Sequence, residues 1–382
     1  MAYYFLFPEK DTTIYSHPYR QDLNTGIVET LALSSEKDNT SSLYYPSRIL
    51  LKFKDSELTS LFENKVTGNF SASLNLYATE YSKNLPVSQT IELYPLNEPW
   101  QNGTQRYIEH PYIQGVTSNG ASWLYNDNGT DKTSWETSSF DANTTGSFSG
   151  SNKGGGTWYT GSGFESIQNI EITNNFDLNF NVTSQIQKYS ASLLSSQTYP
   201  DGISNNGFII KRKDDVFNNS TNQGILKYFS LDTNTIFSPN LAIKWDDSSY
   251  VTSSGATIIT DGQIQLNINN NKGTYRQVEE PTFRINSRKQ YPDRAFVTSS
   301  NYLDVNYLTS ASYYSIEDFT SKEIIIPFDT EYTKLSADSR GMYFKLYMQG
   351  LQPERYYRIL IRHDNEDGIS IYDDNYYFKV IR

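Results

Sequence analysis

Three histidines, His17, His110 and His363, are the side chains whose ordinary pKa lies near neutrality, so they are the first candidates for acid–base chemistry. His17 and His110 each precede a proline, which favours extended or turn backbone at these positions. His363 lies beside a hairpin signal near residue 368. The sequence contains no HExxH, GxSxG, P-loop or dinucleotide-binding glycine pattern. We therefore assign none of the three histidines a catalytic role.

Acidic residues are the second candidates, because two carboxylates placed on either side of a glycosidic bond can hydrolyse it. The candidates are Glu165, Glu279-Glu280 and Asp246-Asp247. Such pairs usually come from distant segments, so a glycan-cleaving enzyme stays open as an alternative. The simpler interpretation is that Glu279-Glu280 belongs to a solvated linker and that Asp246-Asp247 ends a strand. We favour this interpretation and predict a non-enzymatic protein.

Composition excludes several further classes of site. The 382 residues include no cysteine, so disulfides, thiolate nucleophiles and cysteine-ligated metals are excluded. The net charge of −11 disfavours nucleic acid as a partner. The first apolar run, residues 2–7, is too short for a signal peptide, and no run approaches the ~18 apolar residues of a membrane span. We expect no membrane insertion.

The elements that position these residues are predicted to be strands. Tyr, Phe, Ile, Val and Thr recur in short runs separated by Gly, Asn, Asp and Pro, which is typical of an all-β fold. Residues 70–77 alternate apolar and polar side chains, whereas Ile49-Leu50-Leu51 is continuously apolar and predicts a central strand. Helical spacing predicts two short helices, one beginning near Asp55 and one over residues 183–194. The other predicted strands are 27–33, 48–53, 90–96, 175–182, 207–211, 226–231 and 241–245.

A stretch rich in Ser, Thr, Gly and Asn, residues 101–157, interrupts the strand pattern. It contains Trp123, Tyr125 and Trp135, and a loop of this length within a domain is usually functional. These three rings are our candidates for an interface or a glycan-stacking platform. Trp100 and Trp158 flank the stretch and are expected to be structural. For each of these tryptophans, burial in the core is a commoner role than exposure at a binding surface.

Composition shifts predict two domains. The first covers residues 1–250 and includes the insertion at 101–157. A polar stretch, 251–275, follows as a linker or edge strand, and new strand signals fill 276–382.

Several motifs follow one another in a recognisable order along the first domain. They are Asp11-Thr12-Thr13-Ile14-Tyr15, Ser47-Arg48-Ile49-Leu50-Leu51, Glu98-Pro99-Trp100, Gly156-Thr157-Trp158 and Ser238-Pro239-Asn240-Leu241 through Trp245. In this order they resemble the DNRLRE-type jelly-roll module, a relative of carbohydrate-binding modules, over about residues 10–247. The resemblance implies two antiparallel sheets and structural roles for Arg48 and Trp245. It also implies a structural calcium ion, with Asp11 and Asp247 as candidate ligands, and we expect no other cofactor.

The last domain contains a different motif. Leu351, Pro353 and Tyr357 are spaced as in fibronectin type III modules, a resemblance that implies an immunoglobulin-like sandwich with Tyr357 at a strand corner. A further likeness runs from Pro281-Thr282-Phe283-Arg284-Ile285 through Ser312-Tyr313-Tyr314-Ser315-Ile316 to the carboxyl end. This segment resembles the tail of structural proteins in T4-like tailed phages of marine cyanobacteria.

Together these patterns predict a non-enzymatic virion structural protein of a tailed phage, attached to the head, neck, tail or baseplate. Its expected partners are other virion proteins, in several copies within a symmetric assembly. We expect synthesis and assembly in the host cytoplasm, where the absence of cysteine is unremarkable. The alternative is an adhesin module that contacts a host surface glycan.

Overall fold

The structure is a computed structural model that describes residues 2–82, 85–106, 119–136, 144–148, 154–173, 175–194, 202–213, 215, 220–291 and 305–382. The chain forms two compact units. The N-terminal unit comprises Leu6–Lys65 and Ser71–Ala242. The C-terminal unit comprises Met1–Phe5, Val66–Phe70 and Ile243–Arg382.

Short strands dominate the described residues, which also form two α-helices. Up to residue 245 the elements are β1 (Ala2–Leu6), β2 (Pro8–Tyr15), β3 (Thr30–Leu33), β4 (Ser35–Lys37), β5 (Tyr44–Phe53), α1 (Asp55–Asn64), β6 (Phe70–Leu76), β7 (Ala78–Tyr81), β8 (Ser88–Pro95), β9 (Tyr125–Asp127), β10 (Thr133–Ser134), β11 (Thr144–Phe148), β12 (Gly154–Tyr159), β13 (Ser166–Glu171), β14 (Leu178–Asn181), α2 (Thr183–Leu193), β15 (Phe208–Arg212), β16 (Leu226–Phe229) and β17 (Asn240–Trp245).

Beyond residue 245, the described part of the chain forms strands and one 3-10 turn, Met348–Gly350. The strands are β18 (Thr257–Ile259), β19 (Ile264–Ile268), β20 (Thr274–Arg276), β21 (Thr282–Lys289), β22 (Asn306–Leu308), β23 (Ser312–Asp318), β24 (Ile324–Ile326), β25 (Ser336–Asp338), β26 (Gly341–Lys345), β27 (Arg355–Asn365), β28 (Gly368–Tyr372) and β29 (Tyr377–Ile381).

The main sheet of the N-terminal unit has the order β13-β8-β15-β5-β2, with β4 also paired to β5. A second sheet has the order β3-β16-β7, and β6 pairs with β14. Ile49, Leu50 and Leu51 are fully buried in β5, between β2 and β15. Both faces of this strand are therefore covered, as the continuous apolar run predicts.

The C-terminal unit is a sandwich of two sheets. One has the order β18-β22-β21-β26-β25 with β19 paired to β21, and the other has the order β20-β29-β27-β23-β24 with β28 paired to β27. Rings from the two sheets meet between them: the centroids of Tyr314 and Phe344 lie 4.4 Å apart, and those of Phe283 and Phe378 lie 5.6 Å apart. The stretch 251–275 contributes β18, β19 and most of β20 to these sheets.

The predicted all-β fold is confirmed: the chain is nearly all β, built mainly from antiparallel sheets. Both predicted helices are present, as α1 and α2. No helix in the described ranges is both long and apolar enough to cross a membrane.

Candidate functional site

The tryptophans of the insertion lie in the core of the N-terminal unit. Trp123 and Trp135 are only 1% and 2% exposed, and both belong to a buried cluster with Trp100 and Trp158. The cluster covers the face of the main sheet that carries Leu50 and Ile209. Because their rings are covered, Trp123 and Trp135 do not form the predicted surface platform. Tyr125 is half-buried beneath the ammonium of Lys132, 5.1 Å from its ring centroid.

Arg48 is the charged centre of this tryptophan cluster. Its guanidinium carbon lies 4.8 Å from the ring centroid of Trp123 and 5.2 Å from that of Trp158, a geometry that favours cation–π attraction. Its Nε donates to Asp215 Oδ2 at 2.6 Å, and its Nη1 donates to the carbonyl of Gly155. These contacts hold the guanidinium of Arg48 between two indole rings, a carboxylate and a backbone carbonyl.

Other predicted structural residues also make defined contacts. Trp100 Nε1 donates to the Asn206 carbonyl at 2.9 Å. Trp245 is fully buried in the C-terminal unit, with its ring centroid 5.6 Å from that of Tyr347. Tyr357 is buried, and its hydroxyl donates to the Gln352 carbonyl at 2.9 Å, five residues upstream.

The two predicted calcium ligands differ in environment. Asp11 is buried and its Oδ2 accepts a hydrogen bond from the Leu231 backbone N–H. Desolvation raises the pKa of the Asp11 carboxyl to about 7, against the opposing effect of that hydrogen bond. Asp247 is exposed. Within the described ranges no group of three or more acidic or histidine side chains is arranged to hold a metal ion. Asp11 and Asp247 therefore stay predicted calcium ligands, and we derive no role for the ion.

Four of the candidate acid–base residues, His17, His363, Glu279 and Glu280, make local contacts. His110 lies outside the described residues, and burial lowers the pKa of both His17 and His363. Glu279 and Glu280 pair with lysines at 3.4 Å and 2.8 Å, whereas Glu165 is exposed.

An exposed group of three aromatic rings, Phe319, Tyr356 and Tyr377, lies on the outer side of the β27 sheet, and we call it the aromatic patch. The side chains are 42%, 46% and 50% exposed, respectively. The Tyr377 centroid lies 5.7 Å from that of Phe319 and 6.3 Å from that of Tyr356. Three aromatic side chains thus form one continuous surface rather than scattered exposed residues.

The register of the strands explains why the three rings of the aromatic patch lie on one face of the sheet. Along β27 the side chains of Tyr357, Ile359 and Ile361 point into the sandwich, so those of Tyr356 and Arg358 point outward. Arg358 is paired in register with Tyr377 of β29. Phe319 follows β23 directly, and its backbone N–H donates to the Tyr356 carbonyl at 2.9 Å.

Cations surround the aromatic patch. The Lys322 ammonium lies 4.7 Å from the Phe319 centroid, and the Lys379 ammonium lies 5.9 Å from that of Tyr356. Arg358 is held by Asp373, to which its Nε donates at 2.7 Å. Aromatic residues and arginine are the types enriched in protein interfaces.

A second surface feature is a cleft of about 520 Å³ in the N-terminal unit, which we call the His17 cleft. Its walls include His17, Tyr19, Arg20, Glu36 and Tyr44. Arg20 Nη1 lies 2.9 Å from Glu36 Oε1, and Tyr19 is 60% exposed. Desolvation raises the pKa of Glu36 despite the opposing charge of Arg20. The cleft combines aromatic rings with polar groups, the composition expected of a small-ligand site.

The sequence gives a weak signal for both features. The cleft includes three residues of the turn His17-Pro18-Tyr19-Arg20, and the patch includes Tyr356 and Tyr377. The sequence shows these residues, but only the strand register shows that they lie together.

Comparisons with known proteins identify no family. No protein-family model matches the chain, and no curated protein matches it. Among solved structures, the adhesin domain of Epf from Streptococcus pyogenes shares 7% identity over 98% of both chains, with a TM-score of 0.18. At that TM-score the similarity carries no argument about fold or function.

Proposed function

We propose that the chain is a non-enzymatic structural protein of a tailed-phage virion that acts through protein–protein contacts. The aromatic patch is the observation that carries this proposal. Tyr and Phe side chains supply a large contact area at low cost in conformational entropy. A partner that covers the patch would desolvate all three rings together.

The proposed partners are other virion proteins, met in several copies of a symmetric assembly built in the host cytoplasm. A non-enzymatic role agrees with the engaged histidines and with the ion pairs of Glu279 and Glu280.

Substitution of the patch tests the proposal. The double variant Tyr356→Ser/Tyr377→Ser removes two exposed rings, so we expect the fold to persist and the chain to be lost from assembled particles. Circular dichroism measures the fold, and immunoblotting of gradient-purified particles measures incorporation. Tyr291→Ser is the matched control, because Tyr291 is a 77% exposed tyrosine of the same unit. Normal incorporation of the folded double variant would contradict the proposed role of the patch.

The His17 cleft favours a second candidate function, a module that binds a host surface glycan. Sugar rings stack on exposed aromatic side chains, and the Arg20–Glu36 pair offers both donors and acceptors to hydroxyl groups. The test is a glycan array probed with the wild-type chain, Tyr19→Ala and the control Tyr291→Ala. This function predicts binding that Tyr19→Ala abolishes and the control retains; an array without any signal would contradict it.

A further inference from the structure

The strand β28 is an exposed edge of the C-terminal sandwich. It pairs with β27 from Asn365↔Gly368 to Ile361↔Tyr372. No other described strand pairs with it. An edge of this kind can accept an additional strand through its backbone groups.

The hydrogen-bond pattern shows which backbone groups are available. The N–H of Asp364 donates to the Ala311 carbonyl at 2.9 Å rather than to Ile369, which lies opposite it. Asp364 and Ile369 are therefore a non-hydrogen-bonded pair, so the N–H and C=O of Ile369 point away from β27. Because antiparallel pairs alternate, the same groups of Ile371 also point to the free edge.

The strand lacks two of the usual protections of an edge, lysine and proline. Its sequence, Gly-Ile-Ser-Ile-Tyr, contains neither lysine nor proline. Ile369 and Ile371 are 66% and 58% exposed, so their side chains offer two apolar contacts on one face. Two β-branched residues at alternate positions match a partner strand with the same alternation.

A groove of about 610 Å³ adjoins this edge. Gln263 and Ile264 line one side, and Ser370, Ile371 and Tyr372 line the other. Two of the lining residues are joined by a hydrogen bond, because the Gly262 N–H donates to Asp367 Oδ2 at 2.8 Å. The groove gives an added segment a defined place beside β28.

Charge decides which occupant fits. Glu366 and Asp367 precede β28 and Asp374 follows it, and all three are exposed. Asp373 also follows β28, but it is paired with Arg358. Antiparallel pairing with a second copy, centred on Ser370, would set Glu366 opposite Asp374. Like charges in opposite positions destabilise strand pairing, whereas basic residues in those positions stabilise it.

We infer that β28 accepts, by strand addition, an extended segment of a partner protein that has β-branched residues at alternate positions and lysine or arginine at both ends. The inference rests on the proposed protein-binding function, but it uses a sheet edge and not the aromatic patch.

The test uses the full chain and a fluorescent peptide, Lys-Lys-Val-Thr-Val-Thr-Lys-Lys, with a control peptide that has glutamate in place of each lysine. Fluorescence anisotropy measures binding. We expect the basic peptide to bind, its affinity to fall as salt rises, and the acidic peptide to bind at least about tenfold more weakly. Failure of the basic peptide to bind, or equal binding of both peptides, overturns the inference.

Two chain variants test the edge itself. Ile371→Pro removes an N–H that points to the free edge and takes no donor from the β27–β28 ladder, so we expect at least about a tenfold loss of affinity. Ile371→Thr is the matched control, with expected affinity within about threefold of wild type. Equal affinity of a folded Ile371→Pro variant and the control overturns the inference.

If Ile371→Pro does not fold, a peptide with both valines N-methylated replaces it. This peptide loses the backbone donors of its valines, and unchanged affinity overturns strand addition. Analytical ultracentrifugation tests the alternative occupant, a second copy of the chain. If the wild type and Ile371→Thr form a dimer and Ile371→Pro does not, the edge binds a second copy, and the inference is overturned. Tyr356→Ser/Tyr377→Ser should keep the peptide affinity, so failure of the patch and failure of the edge are distinguishable.

Discussion

Arg48 and Asp215 form a buried ion pair, with 2.6 Å between Nε and Oδ2 and side chains only 1% and 8% exposed. Lys211 lies 3.7 Å from the other oxygen of Asp215 and 2.9 Å from Glu92, so two cations and two anions neutralise one another. Removal of one member leaves an uncompensated charge in a medium that solvates it poorly.

We predict that Asp215→Ala lowers the free energy of unfolding by about 3–5 kcal/mol, because Arg48 loses its anion. Urea denaturation measures the loss. Glu80→Ala is the control, since its pair with Lys227 is solvent-exposed and its loss should change the free energy of unfolding much less. An equal loss of unfolding free energy in the two variants would show that the buried ion pair stabilises the fold no more than the exposed one.

Trp135→Ala is expected to destabilise the fold rather than to remove a ligand contact. Trp135 is buried, and its Nε1 donates to the Ser122 carbonyl at 2.9 Å. Loss of the ring should cost about 3–5 kcal/mol by chemical denaturation. Trp135→Phe keeps most of the volume and should cost less. A Trp135→Ala variant as stable as wild type would contradict this placement in the core.

Tyr357→Phe removes only the hydroxyl that donates to Gln352, so the expected loss is about 1 kcal/mol. Thermal or urea unfolding of the full chain measures it. Tyr377→Phe, at an exposed position, is the control and should leave stability unchanged. No loss for Tyr357→Phe would mean that the corner hydrogen bond is energetically neutral.

Asp318 predicts a pH dependence of stability. Desolvation alone would raise the pKa of its carboxyl, but hydrogen bonds from Ser321, Arg355 and Thr320 hold the pKa below the ordinary value of 3.8. Because the folded-state pKa is depressed, the stabilisation is present above about pH 3.8 and is lost as pH falls through the folded-state pKa.

Asp318→Asn should therefore be less stable than wild type near neutral pH, with the difference shrinking in acid. Urea denaturation of both proteins from neutral pH to below 3.8 measures the difference. A difference that is independent of pH would contradict the assigned cause.

Local patterns in the sequence predict the elements of the fold well. The alternation over residues 70–77 corresponds to β6, whose apolar residues are buried and whose intervening residues are only half-buried. The helical spacing after Asp55 corresponds to α1, in which Leu58 and Leu61 are buried. These features depend on near neighbours in sequence, which is why the sequence alone reveals them.

Features that depend on distant pairing were not predictable. Trp123 is covered partly because Gly155, at φ +83°, lets the backbone approach: a Cβ there would lie 2.8 Å from both Arg48 Nη1 and Trp123 Cζ2. The aromatic patch likewise forms only because β23, β27 and β29 align in one register. A Ser- and Gly-rich context suggested exposure for Trp123 and Trp135, whereas long-range packing buries both.

The most direct test of the proposed function is quantitative mass spectrometry of tailed particles purified by density gradient from lysates of the cells that produce this chain. We predict that its peptides co-purify with the major capsid and tail proteins at a fixed ratio that repeated purification does not change. Peptides found in the soluble fraction and absent from the purified particles would contradict a virion structural role.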